Sequence, residues 1–207
     1  FVELPLFGAQ GLQPPACARG ELDHRIPVLS RDDFGAPNIR DQEGLSAVVR
    51  DCLSGLSPQK ARRVAVSLPD SVFRVQTLEF DQLPRKQADV ERLIRWRLEK
   101  TAAFDTADTV LRWQTFKRQD KGFFILASAA KRGVLAQYEA LILSLGLEPW
   151  IIGLSSFHTM NFYRRYIAAK TPQFAFARVN SDLFTAVVME REGLRFYRFK
   201  EIKRSSA

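Results

Sequence analysis

The 207-residue sequence is poor in the residue types that build metal sites and disulfide frameworks. Its two cysteines, Cys17 and Cys52, lie far apart and show neither CxxC nor Cys/His spacing. Such spacing indicates neither a zinc site nor a disulfide framework, and it fits a reducing compartment. We interpret the two histidines, His24 and His158, as structural or solvated residues, and we expect no metal site.

Long apolar runs and catalytic signatures are also missing. The longest candidate for a membrane span, LILSLGLEPWIIGL, is interrupted by Gly146, Glu148 and Pro149, and a span needs about 18 apolar residues. None of the motifs GxGxxG, GxxxxGK[ST], GxSxG and HExxH occurs. We therefore expect no direct membrane span and no catalytic residue. No signal peptide is visible, but the sequence begins with Phe1 inside an apolar run, so we expect it to be part of a longer protein.

Positive charge is in excess, with a formal net charge of +8. Such a balance favours acidic partners, which are nucleic acids, anionic lipid headgroups or acidic protein segments. The basic residues form only short clusters, such as RLIRWRLEK, KARR, YRRY and KEIKR. Since none is a long block of like charge, we interpret the excess mainly as a solvated surface.

The first half of the chain predicts strands and helices from its apolar periodicity. We expect strands at 1–7 and near 26–29, with an irregular connection over 8–42. The spacing of apolar residues then predicts a helix over GLSAVVRDCLSGL, strands over RRVAVSL and SVFRVQTLEF, and a helix over 86–100.

The second half continues with a hairpin, two helices and a closing hairpin. The strands TVLRWQTF and GFFILASAA precede a helix at 132–144, for which Gly146 is a natural C′ residue, and a short strand EPWII. A helix over SSFHTMNFYRRYIAA follows, with Ser155 or Ser156 as its N-cap. Residues 174–199 contain two apolar runs around a polar turn, which predicts a closing hairpin. The segment RVNSD breaks the first run. The order β-α-β-β-α-β over 71–152 suggests a split-βαβ sandwich within a larger α/β protein.

One patch raises the possibility of nucleic-acid binding. Trp96 and Arg97 could stack on a nucleobase, and the strand GFFILA carries Phe123 and Phe124. Adjacent strand residues point to opposite faces, however, so one of the two phenylalanines belongs to the core. A basic RNA-binding module therefore stays open as an alternative function, although nucleic acid is not the partner that we favour.

Three longer runs resemble one protein family. RRVAVSLPDSVFRVQTLEFDQLP, ERLIRWRLEKTAAFD and ILASAAKRGVLAQYEALILSLGLEPWIIGLSSF are similar to the PilM family, the actin-like cytoplasmic component of type IV pilus assembly. This family is related to the cytoplasmic part of the GspL proteins of type II secretion. The resemblance is good over about 45–157 and weaker at the flanks.

The resemblance implies an α/β fold with actin-like, ribonuclease-H-like lobes and an inserted β-α-β-β-α-β subdomain. Residues 1–70 and 147–171 would form the first lobe, and 71–146 would form the inserted subdomain. Residues 172–207 would begin an incomplete second lobe.

The resemblance also implies where nucleotide would bind. In nucleotide-binding members two glycine-containing hairpins hold the phosphates, and acidic residues place the metal. The first hairpin would precede Phe1, and the second would fall at FARVNSDLFTAVV. There Arg178 stands where an acidic residue is expected, and Asn180 stands near the glycine position. Ser181, Asp182 and Thr185 still offer polar groups, so we expect a vestigial phosphate site, with ATP and Mg²⁺ only if the flanks complete it.

The function implied by the resemblance is that of a scaffold rather than an enzyme. The chain would be cytoplasmic, peripheral to the inner membrane, and part of a type IV pilus or type II secretion assembly platform. It would bind the cytoplasmic tail of a PilN-like bitopic membrane protein and contact other platform proteins. Arg74, Arg92 and Arg95 are the candidate residues for steering this partner. A working actin-like ATPase that regulates pilus assembly is the alternative.

Overall fold

The fold is described from a computed structural model over residues 38–54, 63–102, 105–117, 122–167, 171, 173–179, 183–190 and 193–202. The strands predicted at 1–7 and 26–29 lie outside these residues, as do Asn180, Ser181 and Asp182. Within the described ranges, no helix combines the length and the apolar character needed to cross a membrane.

The described ranges contain four α-helices and eight β-strands. The helices are α1 (Gln42–Ser54), α2 (Gln87–Ala102), α3 (Arg132–Ser144) and α4 (Ser155–Ile167). The strands are β1 (Arg63–Leu68), β2 (Arg74–Phe80), β3 (Thr109–Lys117), β4 (Phe123–Lys131), β5 (Glu148–Leu154), β6 (Phe174–Val179), β7 (Leu183–Glu190) and β8 (Gly193–Glu201).

The predicted helices and strands up to α4 agree with this order. The C-terminus of α3 illustrates how a sequence signal predicts the end of a helix. Gly146 has a φ of 75°, a conformation that glycine adopts without a Cβ penalty. Its N–H donates to the carbonyl of Leu143 at 3.0 Å, and the N–H of Leu147 donates to Ile142 at 3.2 Å. These two bonds form a Schellman motif, which confirms Gly146 as the C′ residue.

Internal contacts divide the chain into two compact units. Unit one contains the described residues of 67–130 and 153–207, and unit two contains those of 3–66 and 131–152. In unit two, the N–H of Asn38 donates to Gln137 Oε1 at 2.8 Å, and the hydroxyl of Tyr138 donates to Asn38 Oδ1. Burial raises the pKa of Tyr138 to about 12. The division into two lobes and an inserted subdomain stays a prediction.

Unit one contains the sheet β2-β4-β3, whose one face is covered by α2. The strands β2 and β4 are antiparallel, with Leu78 opposite Ile125. Apolar side chains from the helix and from all three strands form one core cluster: Leu78, Val90, Ile94, Leu98, Leu111, Ile125, Ala127 and Ala129. Such periodic apolar stripes are the main source of stability for a helix on a sheet.

Unit one also contains the antiparallel sheet β6-β7-β8. The segment predicted as two apolar runs over 174–199 therefore forms three strands. β6 ends at Val179 and β7 begins at Leu183, so the predicted break at RVNSD lies at the end of β6. A β-bulge between Val188 and Met189 shifts the register of β7 against β8. In β6 half-buried and exposed residues alternate, which places Phe174, Phe176 and Arg178 on one face of the sheet.

Two further details differ from the sequence prediction. Residues Asp70–Val72 form a 3₁₀ turn, so β2 begins at Arg74 and not at Ser71. Pro69 precedes this turn, and its carbonyl accepts a hydrogen bond from the Val72 N–H at 3.0 Å. The order β-α-β-β-α-β is confirmed, but β5 pairs with β1 instead of joining β2, β3 and β4 in one sheet. Element order alone does not decide which strands pair.

Candidate functional site

The predicted second phosphate hairpin is formed by β6 and β7. Arg178 of β6 lies directly opposite Thr185 of β7 in the antiparallel register. Arg178 is half-buried and Thr185 is buried. The structure therefore brings two of the predicted site residues together, while the placement of Asn180, Ser181 and Asp182 lies outside the described residues.

The carboxylate of Asp70 is the centre of a polar cluster beside this hairpin. Asp70 is only 3% exposed. Its Oδ1 accepts hydrogen bonds from the Ser156 N–H at 3.1 Å and from Ser155 Oγ at 3.4 Å. Its Oδ2 accepts from Thr185 Oγ1 at 2.9 Å and from the Tyr197 hydroxyl at 3.2 Å. We name Asp70, Ser155, Ser156, Arg178, Thr185 and Tyr197 the Asp70 cluster.

The local structure explains how the cluster assembles. The 3₁₀ turn after β1 places Asp70 at the N-terminus of α4, whose first residue is Ser155. The first N–H groups of a helix have no partner within the helix and carry a partial positive charge. The carboxylate of Asp70 accepts a hydrogen bond from the N–H of Ser156 and so caps α4 from 86 positions away in the sequence. The sequence analysis instead predicts Ser155 or Ser156 as the cap of this helix.

Tyr197 closes the cluster on the side of β8. Its ring packs against Phe157, with ring centroids 5.3 Å apart and an interplanar angle of 56°. Burial raises the pKa of Tyr197 strongly, and the negative charge of Asp70 raises it further. The phenol therefore keeps its proton and donates a hydrogen bond to the carboxylate.

Arg178 joins the cluster through a hydroxyl group. Its guanidinium Nη1 donates a hydrogen bond to Ser155 Oγ, and the same hydroxyl donates to Asp70. The cation thus lies one residue removed from the buried carboxylate. Charge-assisted bonds of this kind are stronger than neutral ones, so Arg178 supports the start of α4 from the strand β6.

The described residues of the cluster do not fit a magnesium nucleotide. Mg²⁺ needs oxygen ligands in octahedral arrangement, whereas both oxygens of the one carboxylate present already accept hydrogen bonds. Throughout the ranges that the structure describes, no group of three or more His, Cys, Asp or Glu side chains could hold a metal ion. Arg178 is a cation and cannot act as a ligand. We therefore derive no catalytic step from this site.

The three arginines predicted to steer a partner have different environments. Arg74 is exposed on β2. Arg92 is exposed on α2 and pairs with Asp89. Arg95 pairs with Glu91 at 2.8 Å and also donates to the carbonyl of Thr106 at 2.7 Å. The side chain of Arg95 therefore connects α2 to the segment before β3. A role in partner binding stays a prediction for all three arginines.

His158 has the structural role expected from the sequence. Its Nδ1 lies 3.0 Å from Ser67 Oγ, and the ring lies so close to Gly153 that a Cβ there would be 2.7 Å from Nε2. Burial lowers the pKa of His158, so the neutral imidazole is favoured.

Sequence reasoning did not identify four members of the Asp70 cluster as site residues. Asp70 and Tyr197 were not singled out, and Ser155 and Ser156 entered only as candidate caps. An aspartate after a proline is a common turn residue, and Tyr197 lies in an apolar strand. A usable signal was the pair of polar residues Arg178 and Thr185 on opposed strands. Polar groups at buried positions of a hairpin need partners, and these partners come from distant parts of the chain.

The fold of this chain is similar to that of several proteins of known structure. No protein-family model matches the chain, and no curated protein matches it. A chain of the solved PilM-PilN type IV pilus biogenesis complex is similar over 78% of this chain and 48% of its own, with a TM-score of 0.67 and 15% sequence identity. This likeness confirms the predicted fold, which is an α/β fold of the actin-like class.

Two other solved structures are similar. One is the cytoplasmic domain of EpsL, an inner membrane component of the type II secretion system of Vibrio cholerae. It matches over 75% of this chain and 56% of its own, with a TM-score of 0.50 and 13% identity. A Bacteroides thetaiotaomicron protein with an actin-like ATPase fold matches 81% of this chain and 60% of its own, with a TM-score of 0.41 and 11% identity. The resemblance to the PilM and GspL proteins is thus confirmed at the level of fold, and the chain spans about half the length of these structures.

Proposed function

We propose that the chain is an actin-like scaffold of a type IV pilus or type II secretion inner-membrane assembly platform. It binds the cytoplasmic tail of a PilN-like bitopic membrane protein. The observation that carries this proposal is the fold shared with the PilM-PilN complex and with the EpsL cytoplasmic domain. The first belongs to a type IV pilus biogenesis complex, and the second is the cytoplasmic domain of an inner membrane component of a type II secretion system. A cytoplasmic location next to the inner membrane is therefore part of the proposal.

The second part of the proposal is that the nucleotide site is degenerate. Two features support it. Arg178 replaces the acidic residue expected in the hairpin and donates a hydrogen bond to Ser155. The carboxylate of Asp70 uses its oxygens on neighbouring donors. ATP hydrolysis needs a coordinated metal, and the ranges that the structure describes contain no group of three or more His, Cys, Asp or Glu side chains that could hold one. A scaffold needs only the shape of the fold.

Peptide titration tests the partner. A synthetic peptide with the sequence of the cytoplasmic tail of a PilN-like protein from the same genome is titrated calorimetrically into the complete protein. A scrambled peptide is the control. We expect saturable binding of the native peptide alone. Absence of heat with every PilN-like tail of that genome would contradict the partner assignment.

Charge reversal tests the steering residues. Arg74→Glu and Arg92→Glu are expected to weaken peptide binding about tenfold together, which corresponds to about 1.4 kcal/mol. Arg198→Glu, an exposed arginine on β8, is the matched control and should leave the affinity unchanged. Equal losses for all three variants would indicate a general effect of charge.

Calorimetric titration with Mg-ATP, repeated with Arg178→Asp, tests the nucleotide site. We expect no binding to the wild-type protein. Micromolar binding would make the regulated ATPase the leading function. A salt-titrated RNA-binding assay tests the RNA-binding alternative separately. RNA retention that survives physiological salt would favour this alternative, because nonspecific binding weakens steeply with salt.

A further inference from the structure

We infer that the carboxylate of Asp70 acts as a built-in anion, filling an anion-binding nest formed by the N-terminus of α4, the hydroxyls of Thr185 and Tyr197, and the Ser155–Arg178 pair. The wild-type nest is therefore closed to phosphate, and the β6-β7 hairpin is held in place without a ligand. The inference deepens the proposed degenerate nucleotide site and rests on that proposal for its functional consequence.

The donors argue for an anion site because they converge. Four hydrogen-bond donors from three parts of the chain point at one group that is 3% exposed. Burying a carboxylate costs several kcal/mol unless its oxygens are satisfied. The donors are a backbone N–H at a helix start and three hydroxyls, which is the donor chemistry that binds phosphate or carboxylate ligands. The chain supplies the ligand itself.

The cluster also connects elements that are distant in the sequence. Asp70 follows β1, Ser156 is the second residue of α4, and Thr185 and Tyr197 belong to β7 and β8. All of them lie in unit one. A carboxylate that accepts bonds from each of these elements fixes their mutual position. In a nucleotide-dependent protein an exchangeable phosphate could do this, whereas here the fixing group is permanent.

Chemical rescue of Asp70→Ala is the experiment. The variant removes the carboxylate and leaves a cavity of about the size of formate that is surrounded by the donors. We expect a lower melting temperature than for the wild type, and a saturable recovery of about 2–4 °C when sodium formate is added at constant ionic strength. Inorganic phosphate is the second probe, and sodium chloride controls for salt. The wild type should respond to neither anion.

Two variants serve as controls. Asp81→Ala removes an exposed carboxylate from the same unit, and it should show no response to formate. Asp70→Asn fills the cavity with a neutral group of equal size, so its melting temperature should fall without recovery in formate. Failure of formate to stabilise Asp70→Ala, or an equal response of Asp70→Asn, overturns the inference. Stabilisation of the wild type by phosphate overturns it as well, because the nest would then be open.

A second measurement covers the case in which Asp70→Ala does not fold. Tyrosine ionisation is followed by ultraviolet difference absorbance in the wild type, Asp70→Asn and Tyr197→Phe. We expect one tyrosine to ionise at lower pH in Asp70→Asn than in the wild type, and this transition to be missing in Tyr197→Phe. Identical titrations of the wild type and Asp70→Asn would show that no charged carboxylate lies in the nest.

The outcomes separate this inference from the proposed function. If the wild type binds Mg-ATP, the degenerate nucleotide site is wrong. If the wild type ignores Mg-ATP but Asp70→Ala is not rescued, only the built-in anion is wrong. Binding of the PilN-like peptide is independent of both results.

Discussion

The two three-stranded sheets of unit one are stabilised in different ways. The sheet β2-β4-β3 forms its core with α2 from apolar side chains, among which Ile94, Leu98 and Ile125 are fully buried. The sheet β6-β7-β8 places the polar Thr185 and Tyr197 against the buried carboxylate of Asp70. Hydrocarbon burial is additive and tolerant of small shifts, whereas a buried carboxylate depends on the hydrogen bonds that its oxygens accept. The first sheet should therefore be most sensitive to a loss of side-chain volume, whereas at the Asp70 cluster of the second sheet the change of a single atom should also lower stability.

The outer face of the second sheet sharpens the contrast. Val179 is 67% exposed and Phe196 is 42% exposed, and Ala175 and Ala177 share the exposed face of β6. By contrast, the face of β2-β4-β3 that forms the core is covered by α2. On its inner face, the buried apolar side chains of Val187 and Met189 accompany Thr185, and the Asp70 cluster is the part of this face that is most sensitive to small chemical changes.

The largest effect is expected in the apolar sheet. Leu98→Ala removes a fully buried side chain from the contact between α2 and the sheet, and it should lower the free energy of unfolding by about 2–5 kcal/mol. Urea denaturation followed by circular dichroism measures this loss. Leu143→Ala, at a position that is 58% exposed on α3, should change the same quantity by about 0.5 kcal/mol or less. Equal losses would contradict the assignment of the core.

At the Asp70 cluster of the second sheet, the change of a single atom should lower the free energy of unfolding nearly as much. Asp70→Asn keeps the volume but replaces one accepting oxygen by a donor, so at least one neighbouring hydroxyl or N–H loses its acceptor. We expect a loss of about 1–3 kcal/mol in the free energy of unfolding. Asp81→Asn, at an exposed position, should be neutral. An Asp70→Asn protein as stable as the wild type would mean that the carboxylate is not the group that holds the second sheet.

The connection between the sheets is tested at a glycine. Gly193 begins β8 with a φ of 132°, and a Cβ built there would lie 2.2 Å from Phe116 Cδ1 of β3. Gly193→Ala should therefore cost about 1–2 kcal/mol from the backbone alone, and more from the clash. Gly146 also has a positive φ, of 75°, but nothing lies within 4 Å of a Cβ built there, so Gly146→Ala should show a backbone cost without a clash. If Phe116→Ala does not reduce the cost of Gly193→Ala in a double-mutant cycle, the close contact is wrong.

The same contrast explains what the sequence could and could not predict. The helices α2 and α3 and the strands β3 and β4 follow from periodicity, because the residues that define them are neighbours in the chain. The hairpin at Arg178 and Thr185 was predicted from a family resemblance. Asp70 was not, since its partners lie 86, 115 and 127 positions away. The element order over 71–152 likewise does not show that β5 pairs with β1, because strand partners are decided by contacts that no local pattern encodes.

The smallest expected effect is on the pH dependence of the free energy of unfolding, to which Tyr197 of the second sheet contributes. Tyr197 has a pKa raised above its ordinary value by burial and by Asp70, so above about pH 10 the unfolded chain loses this proton before the folded protein does. The stability that Tyr197 contributes is complete below pH 10 and is lost as the pH rises. Tyr197→Phe should cost about 1 kcal/mol at pH 7 and should reduce the loss of stability between pH 9 and 11. Urea denaturation at each pH measures both quantities. Leu98→Ala is the reference, because the loss of an apolar side chain lowers the free energy of unfolding without changing its dependence on pH. A Tyr197→Phe curve parallel to that of the wild type would place the phenol outside the cluster.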